Sequence, residues 1–164
     1  MNDLTVHNYT ALLESLKQRI HSAQHTALRA VNRELIALYW DLGKTIYERQ
    51  EAEGWGKSVV VQLATDLKTE FGEKSGYSDR NLWYMRQFYL EYKDLSKLQP
   101  LAAEVSWTKH TTILSKCKAP LEREFYLRMA TQNRWPVREV ARQIDGALFE
   151  RAVLNPPKVS TALK

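Results

Sequence analysis

A chain of 164 residues with 44% hydrophobic and 26% charged side chains, five Trp and eight Tyr has globular composition, which excludes a disordered or low-complexity chain. No apolar run approaches the ~20 residues of a membrane span or the core of a signal peptide, so a cytoplasmic protein without a membrane partner is expected. Cys117, the single cysteine, excludes an intrachain disulfide and a thiolate metal cage, and the net charge of +5 is unevenly placed. Residues 1–55 hold six Lys/Arg against seven Asp/Glu, residues 56–99 seven against six, and residues 100–164 eleven against six, so the surplus in the last third points to a polyanionic partner.

From Tyr9 to about Gln50 apolar residues recur every three or four positions, through Leu13, Leu16, Ile20, Ala23, Ala27, Val31, Leu35, Leu38, Leu42 and Ile46. This spacing predicts one long amphipathic helix, or two in line. Ile36, Tyr39, Trp40 and Tyr47 add a second apolar stripe, so the second half is expected to be enclosed. The narrower seam from Tyr9 to Ala27 suits pairing with another helix, such as that of a second copy. Gly54 and Gly56 interrupt the pattern; Val59, Val60, Leu63, Leu67 and Phe71 then lay out a second helix that Gly72 closes. After a connector from Glu73 to Tyr77, Ser78 is of N-cap type and Asp79 suits a first turn, with Leu82, Met85, Tyr89 and Tyr92 facing inward on a third helix. The stretch from Leu95 to Val105, with Pro100, reads as a loop or short extended segment. A fourth helix starts at Ser106 and carries Trp107, His110, Ile113 and Leu114. A fifth starts at Pro120 with Phe125, Met129 and Tyr126 as its inward candidates, and Pro136 opens a sixth through Val140, Ile144 and Leu148. Beyond Asn155, Pro156, Pro157 and Lys158 precede nothing periodic, as in a linker or a cut end.

The fold class is therefore mainly α: a multi-helix domain with a long N-terminal amphipathic helix and a helix-turn-helix-like pair. It divides into a long helix over residues 1–50, the pair over 56–92, a basic helical part over 106–150 and a linker over 151–164. Catalytic motifs fail on inspection. Gly56, Lys57 and Ser58 end like a phosphate-binding loop, but Glu51 stands where its first Gly belongs. His21 and His25 lack the intervening general-base Glu of zinc hydrolases, with Ser22 in its place. His7 and His110 lack a recognisable nucleophile and acid. Asp79 with Glu91 and Lys93 follows the order of a metal-dependent nuclease, yet falls on one helix with its carboxylates more than three turns apart; Asp66 and Lys68 share the defect. No cofactor is expected for this chain.

The third helix carries the candidate interface. With its core residues turned inward, Arg80, Asn81, Tyr84 and Gln87 project outward, where Arg suits guanine edges and Asn or Gln suit adenine edges. Arg134, Arg138 and Arg142, four apart beside Trp135, form a row suited to phosphates, with Arg123 and Arg128 on the preceding helix. An ordinary polar helix face, and a solvated row partly paired with Glu139 and Glu122, are the plainer alternatives.

Several runs carry a resemblance. They are Ala30-Val31-Asn32 to Gly43-Lys44, Gly54-Trp55-Gly56-Lys57, Ser78-x-Arg80-Asn81-Leu82-x-Tyr84-Met85-Arg86-x-Phe88-Tyr89, Ser106-Trp107-x-x-His110 and Glu122-Arg123-x-Phe125-Tyr126. In this order, and over almost the whole chain, they resemble the YhcG-like family of bacterial proteins. The resemblance implies an N-terminal domain of unknown function, described as a winged-helix DNA-binding domain, ahead of a PD-(D/E)xK nuclease domain. It implies DNA as partner and magnesium only for that nuclease half, and Pro156 to Ser160 resembles the start of the interdomain segment.

Overall fold

The computed structural model describes residues 3–156; the linker expected beyond Pro156 lies outside them. A single unbroken helix, α1 (Asp3–Glu53), spans 51 residues. It ends where Gly54 takes a positive φ of 67°, a conformation that glycine adopts without steric cost. Then follow α2 (Lys57–Phe71) and α3 (Asp79–Tyr92). Next come α4 (Gln99–Glu104), α5 (Trp107–Lys116), α6 (Pro120–Gln132) and α7 (Val137–Asp145), then a π-helical turn over Glu150–Leu154. No strand occurs among the described residues, so the wing that the resemblance implied is absent there. The chain after α3 folds into further helices instead.

The α1–α3 crossing organises the body. Gly43 lies directly against the backbone of Met85, where a Cβ would overlap the carbonyl. Two apolar clusters flank the crossing. One joins Ile36, Phe88, Tyr92, Ile113, Tyr126, Leu127 and Val140; the other joins Tyr39, Val60, Ala64, Leu82 and Met85. Phe88 sits edge-on to Trp40, Tyr92 and Trp107 at centroid distances of 5.4, 5.4 and 5.6 Å.

Four expectations are corrected. The segment expected to be a loop contains α4, with Pro100 in the first turn, where the proline's missing N–H costs no hydrogen bond. On α3 Leu82, Met85 and Tyr92 are buried as expected, but the fourth buried residue is Phe88 rather than Tyr89, which rests at the rim against Trp40 with its ring 5.2 Å away. On α6 the inward residues are Arg123, Tyr126, Leu127 and Ala130, with Phe125 and Met129 half-buried. The last predicted helix stops at Asp145, since Ala147 has a φ of 57°, and Leu148 follows the break.

Candidate nucleic-acid interface

The connector into α3 is built around Asn81. Ser78 accepts a hydrogen bond at Oγ from the Asn81 backbone N–H at 3.1 Å, the N-cap expected from its residue type. Asn81 Nδ2 donates to Gly76 O at 2.6 Å, and its Oδ1 accepts from Trp107 Nε1 at 2.8 Å. The carboxamide therefore ties the connector to α5. Asn81 does not project outward as its helical position suggested, because Trp107, 26 residues away in sequence, comes over it.

Arg80 is exposed and lies over Tyr84, its guanidinium carbon 5.6 Å from the ring centroid and Nη2 donating to the hydroxyl at 3.4 Å. Arg80, Asn81 and Tyr84 line one cleft of about 320 Å³ with Ser78, Thr111, Thr112 and Ser115 of α5. One wall thus carries a cation stacked on a ring, the other a row of hydroxyls. Gln87, half-buried, stands one turn beyond Tyr84. Glu91, one further turn along, is held by the buried Arg123.

The arginine row is not one surface. Arg138 is exposed, as is Arg142, which donates to Glu139 at 2.6 and 2.8 Å and holds that carboxyl down at about 2. Arg134, at φ 52° between α6 and α7, lines a separate recess of about 520 Å³ with His25, Arg29, Glu104 and Lys109. Within it Glu104 accepts from Arg33 at 2.6 Å and Arg29 at 3.3 Å. Burial opposes ionisation of this carboxyl, but hydrogen bonds from the two arginines outweigh burial and lower its pKa. Sequence reasoning missed this recess because its members come from α1, α4, α5 and the α6 end, about 75 residues apart in the Arg29–Glu104 pair.

Arg123 and Arg128 leave the expected basic patch in different ways. Arg123 is buried, pairs with Glu91, and donates from Nη1 to Cys117 O at 3.3 Å and Lys118 O at 2.9 Å, closing the C-terminal end of α5. Arg128 is exposed and bridges to Glu124 at 2.9 Å. His110 is buried, donates from Nε2 to Ala102 O at 2.7 Å, and has its pKa pushed down by burial to about 4. Cys117 is buried, and burial pushes its thiol up to about 12. Among the described residues no group of three His, Cys, Asp or Glu is placed to hold a metal ion. With Glu91 bound to Arg123, the described residues do not assemble a magnesium site, and no described helix is long and apolar enough to cross a membrane.

The described residues thus form an all-helical body with a polar, cation-bearing cleft between α3 and α5. The family described as the DUF1016 N-terminal domain matches residues 15–151, and the chain belongs to it. It is 26% identical over 190 residues to the Escherichia coli (strain K12) protein named "Putative nuclease YhcG", an alignment covering 96% of this chain and 50% of the relative. The chain thus spans about half the length of that curated relative. No solved structure matches it.

Proposed function

We propose that this chain is the DNA-holding module of a nuclease whose catalytic residues lie outside it. The observation that carries this reading is the cleft between α3 and α5, where Arg80 is stacked on Tyr84 opposite the hydroxyls of Thr111, Thr112 and Ser115. A forked cation over a ring suits a phosphate and the base next to it, while the hydroxyls of Thr111, Thr112 and Ser115, which donate to carbonyls of their own helix, offer acceptor oxygens to a sugar or base. Arg80, Tyr84 and Gln87 form the contact stripe, and Arg134, Arg138 and Arg142 supply further phosphate contacts. Asn81 serves the cleft by shaping its floor. The relative's name supports the nuclease association, and the positive surplus in residues 100–164 supports a polyanion.

The test is duplex-DNA affinity across a salt series. Binding is expected to weaken steeply with salt, with a log–log slope close to the number of phosphates neutralised. Arg138→Ala is expected to lower that slope by about one for every sequence alike, whereas Arg80→Ala also reduces any sequence preference. No binding at low salt, or binding without a salt slope, overturns the proposal. Asn81→Ala is expected to lower stability rather than to alter preference, since both ends of its carboxamide are engaged.

A further inference from the structure

We propose that two copies of this chain pair antiparallel through α1, burying on each other an apolar stripe that runs from Val6 to Leu38. This inference is independent of DNA binding. Along that stripe Val6, Tyr9, Leu16, Ile20, Val31 and Leu38 are 42% to 65% exposed. At 3.6 residues per turn they lie half a turn round α1 from Ile36, Trp40 and Gly43, the residues it directs into the body. The stripe therefore faces away from the body as far as Val31, and at the half-buried Leu35 it borders the apolar cluster that α1 shares with α2 and α3.

Its shape selects a second copy. The C-terminal part of the stripe forms a shallow, open hollow on the helix surface between the side chains of Ala30, Val31, Glu34, Leu35 and Leu38. The N-terminal part presents a large knob, Tyr9, at 63% exposure. Laid antiparallel on a second α1, Tyr9 falls opposite Leu35 and Val6 opposite Leu38, so the knob of each copy enters the hollow of the other. Leu13 then meets Val31 and Leu16 meets Leu28, while Ile20 falls opposite Gln24 near the two-fold axis, which passes by Ser22. The patch is self-complementary, as a symmetric dimer interface must be. Between Val6 and Leu38 no two like charges fall opposite one another in this register: Lys17 falls opposite Ala27, Glu14 opposite Ala30 and Glu34 opposite Thr10. A helix contact about 50 Å long and about 10 Å wide buries on the order of 1,000 Å² or more over the two copies, which reaches the lower bound for a specific interface.

Light scattering and sedimentation on the full chain, over a hundredfold range of concentration, test this. The expected mass at the upper end is twice the 19.1 kDa of one chain. Leu16→Glu combined with Ile20→Glu, at exposed positions that leave the body intact, is expected to return it to one chain. Val61→Glu, on the exposed face of α2, is expected to leave the doubled mass unchanged. A short bis-maleimide is expected to join two copies of Ala23→Cys but not of Val6→Cys, whose side chains stand about 50 Å apart across the pair. Cys117, buried, does not compete. A single-chain mass throughout, a doubled mass indifferent to the Leu16 and Ile20 changes, or joining of Val6→Cys overturns the proposal. A monomer that sediments with anionic phospholipid vesicles overturns it too, and transfers the stripe to a membrane surface.

Discussion

The pair formed by Arg123 and Glu91 is unequal, and the inequality sets what each substitution does. Arg123 is 3% exposed at its side chain whereas Glu91 is 33% exposed. Glu91→Gln leaves a guanidinium shut away from water without its counter-charge, and a loss of about 3 kcal/mol is expected. Arg123→Met leaves a carboxylate that water can reach, and gives up the hydrogen bonds to Cys117 O and Lys118 O, for a smaller loss of about 1–2 kcal/mol. Urea unfolding of both variants checks the order. The reverse order would mean that the guanidinium is hydrated. His110 adds a pH dependence. Its folded pKa of about 4 lies below the 6.5 of the free side chain. The unfolded chain therefore binds the proton that the folded one refuses. Stability is expected to rise with pH between those values and to fall on acidification through the same window, by roughly 3 kcal/mol. In His110→Gln, thermal unfolding at a series of pH values is expected to show a flatter slope over that window; an unchanged slope places the titration elsewhere.

Elements with local causes were legible in the sequence. The break at Gly54, the stop at Gly72 and the Ser78 cap each depend on residues within one turn, so type and spacing sufficed. Where a distant partner decides, the pattern misled. Asn81 reads as a free outward amide until Trp107 arrives over it. The phase of α6 follows from Arg123 reaching in to close α5, which hydrophobic periodicity does not encode. The segment ahead of α5 becomes helical as α4 because Gln99 Nε2 donates to Tyr92 O at 3.0 Å and Lys93 O at 3.1 Å, joining its start to the end of α3. In the candidate site Arg80 and Tyr84 followed from helical position, whereas the hydroxyl wall from α5 and the recess around Arg134 depend on tertiary contacts. At the α1–α3 crossing, nothing in the hydrophobic pattern sets Gly43 apart, yet the backbones meet there. Gly43→Ala is expected to force the helices apart and to cost at least about 1–3 kcal/mol, despite alanine's better helix propensity. Denaturant unfolding measures it, and a stabilised variant would show that the crossing relaxes freely.

At the scale of the whole molecule the two proposals make a joint prediction that neither makes alone. In the antiparallel pair the bodies lie at opposite ends of the shared helices, with the two Gly43 positions about 60 Å apart at 1.5 Å per residue. Duplex DNA rises about 3.4 Å per base pair, so that span corresponds to roughly 18 base pairs. A shorter duplex can engage one body only. A longer one can engage both, the second contact being made at the high effective concentration that the first contact imposes. Affinity per available site is therefore expected to step up by tenfold or more between duplexes of about 12 and about 30 base pairs. The step is expected to vanish in the Leu16→Glu, Ile20→Glu variant while the short-duplex affinity stays as it was. Its sensitivity to salt is expected to follow the DNA contacts and not the apolar helix pairing, because screening acts on charges and leaves apolar burial nearly untouched. Competition binding with the two duplex lengths, on both forms of the chain, reads all of this. A length step that survives in the monomeric variant would mean that one body alone covers the longer site. A dimer that shows no step would mean that the two clefts cannot reach the same duplex.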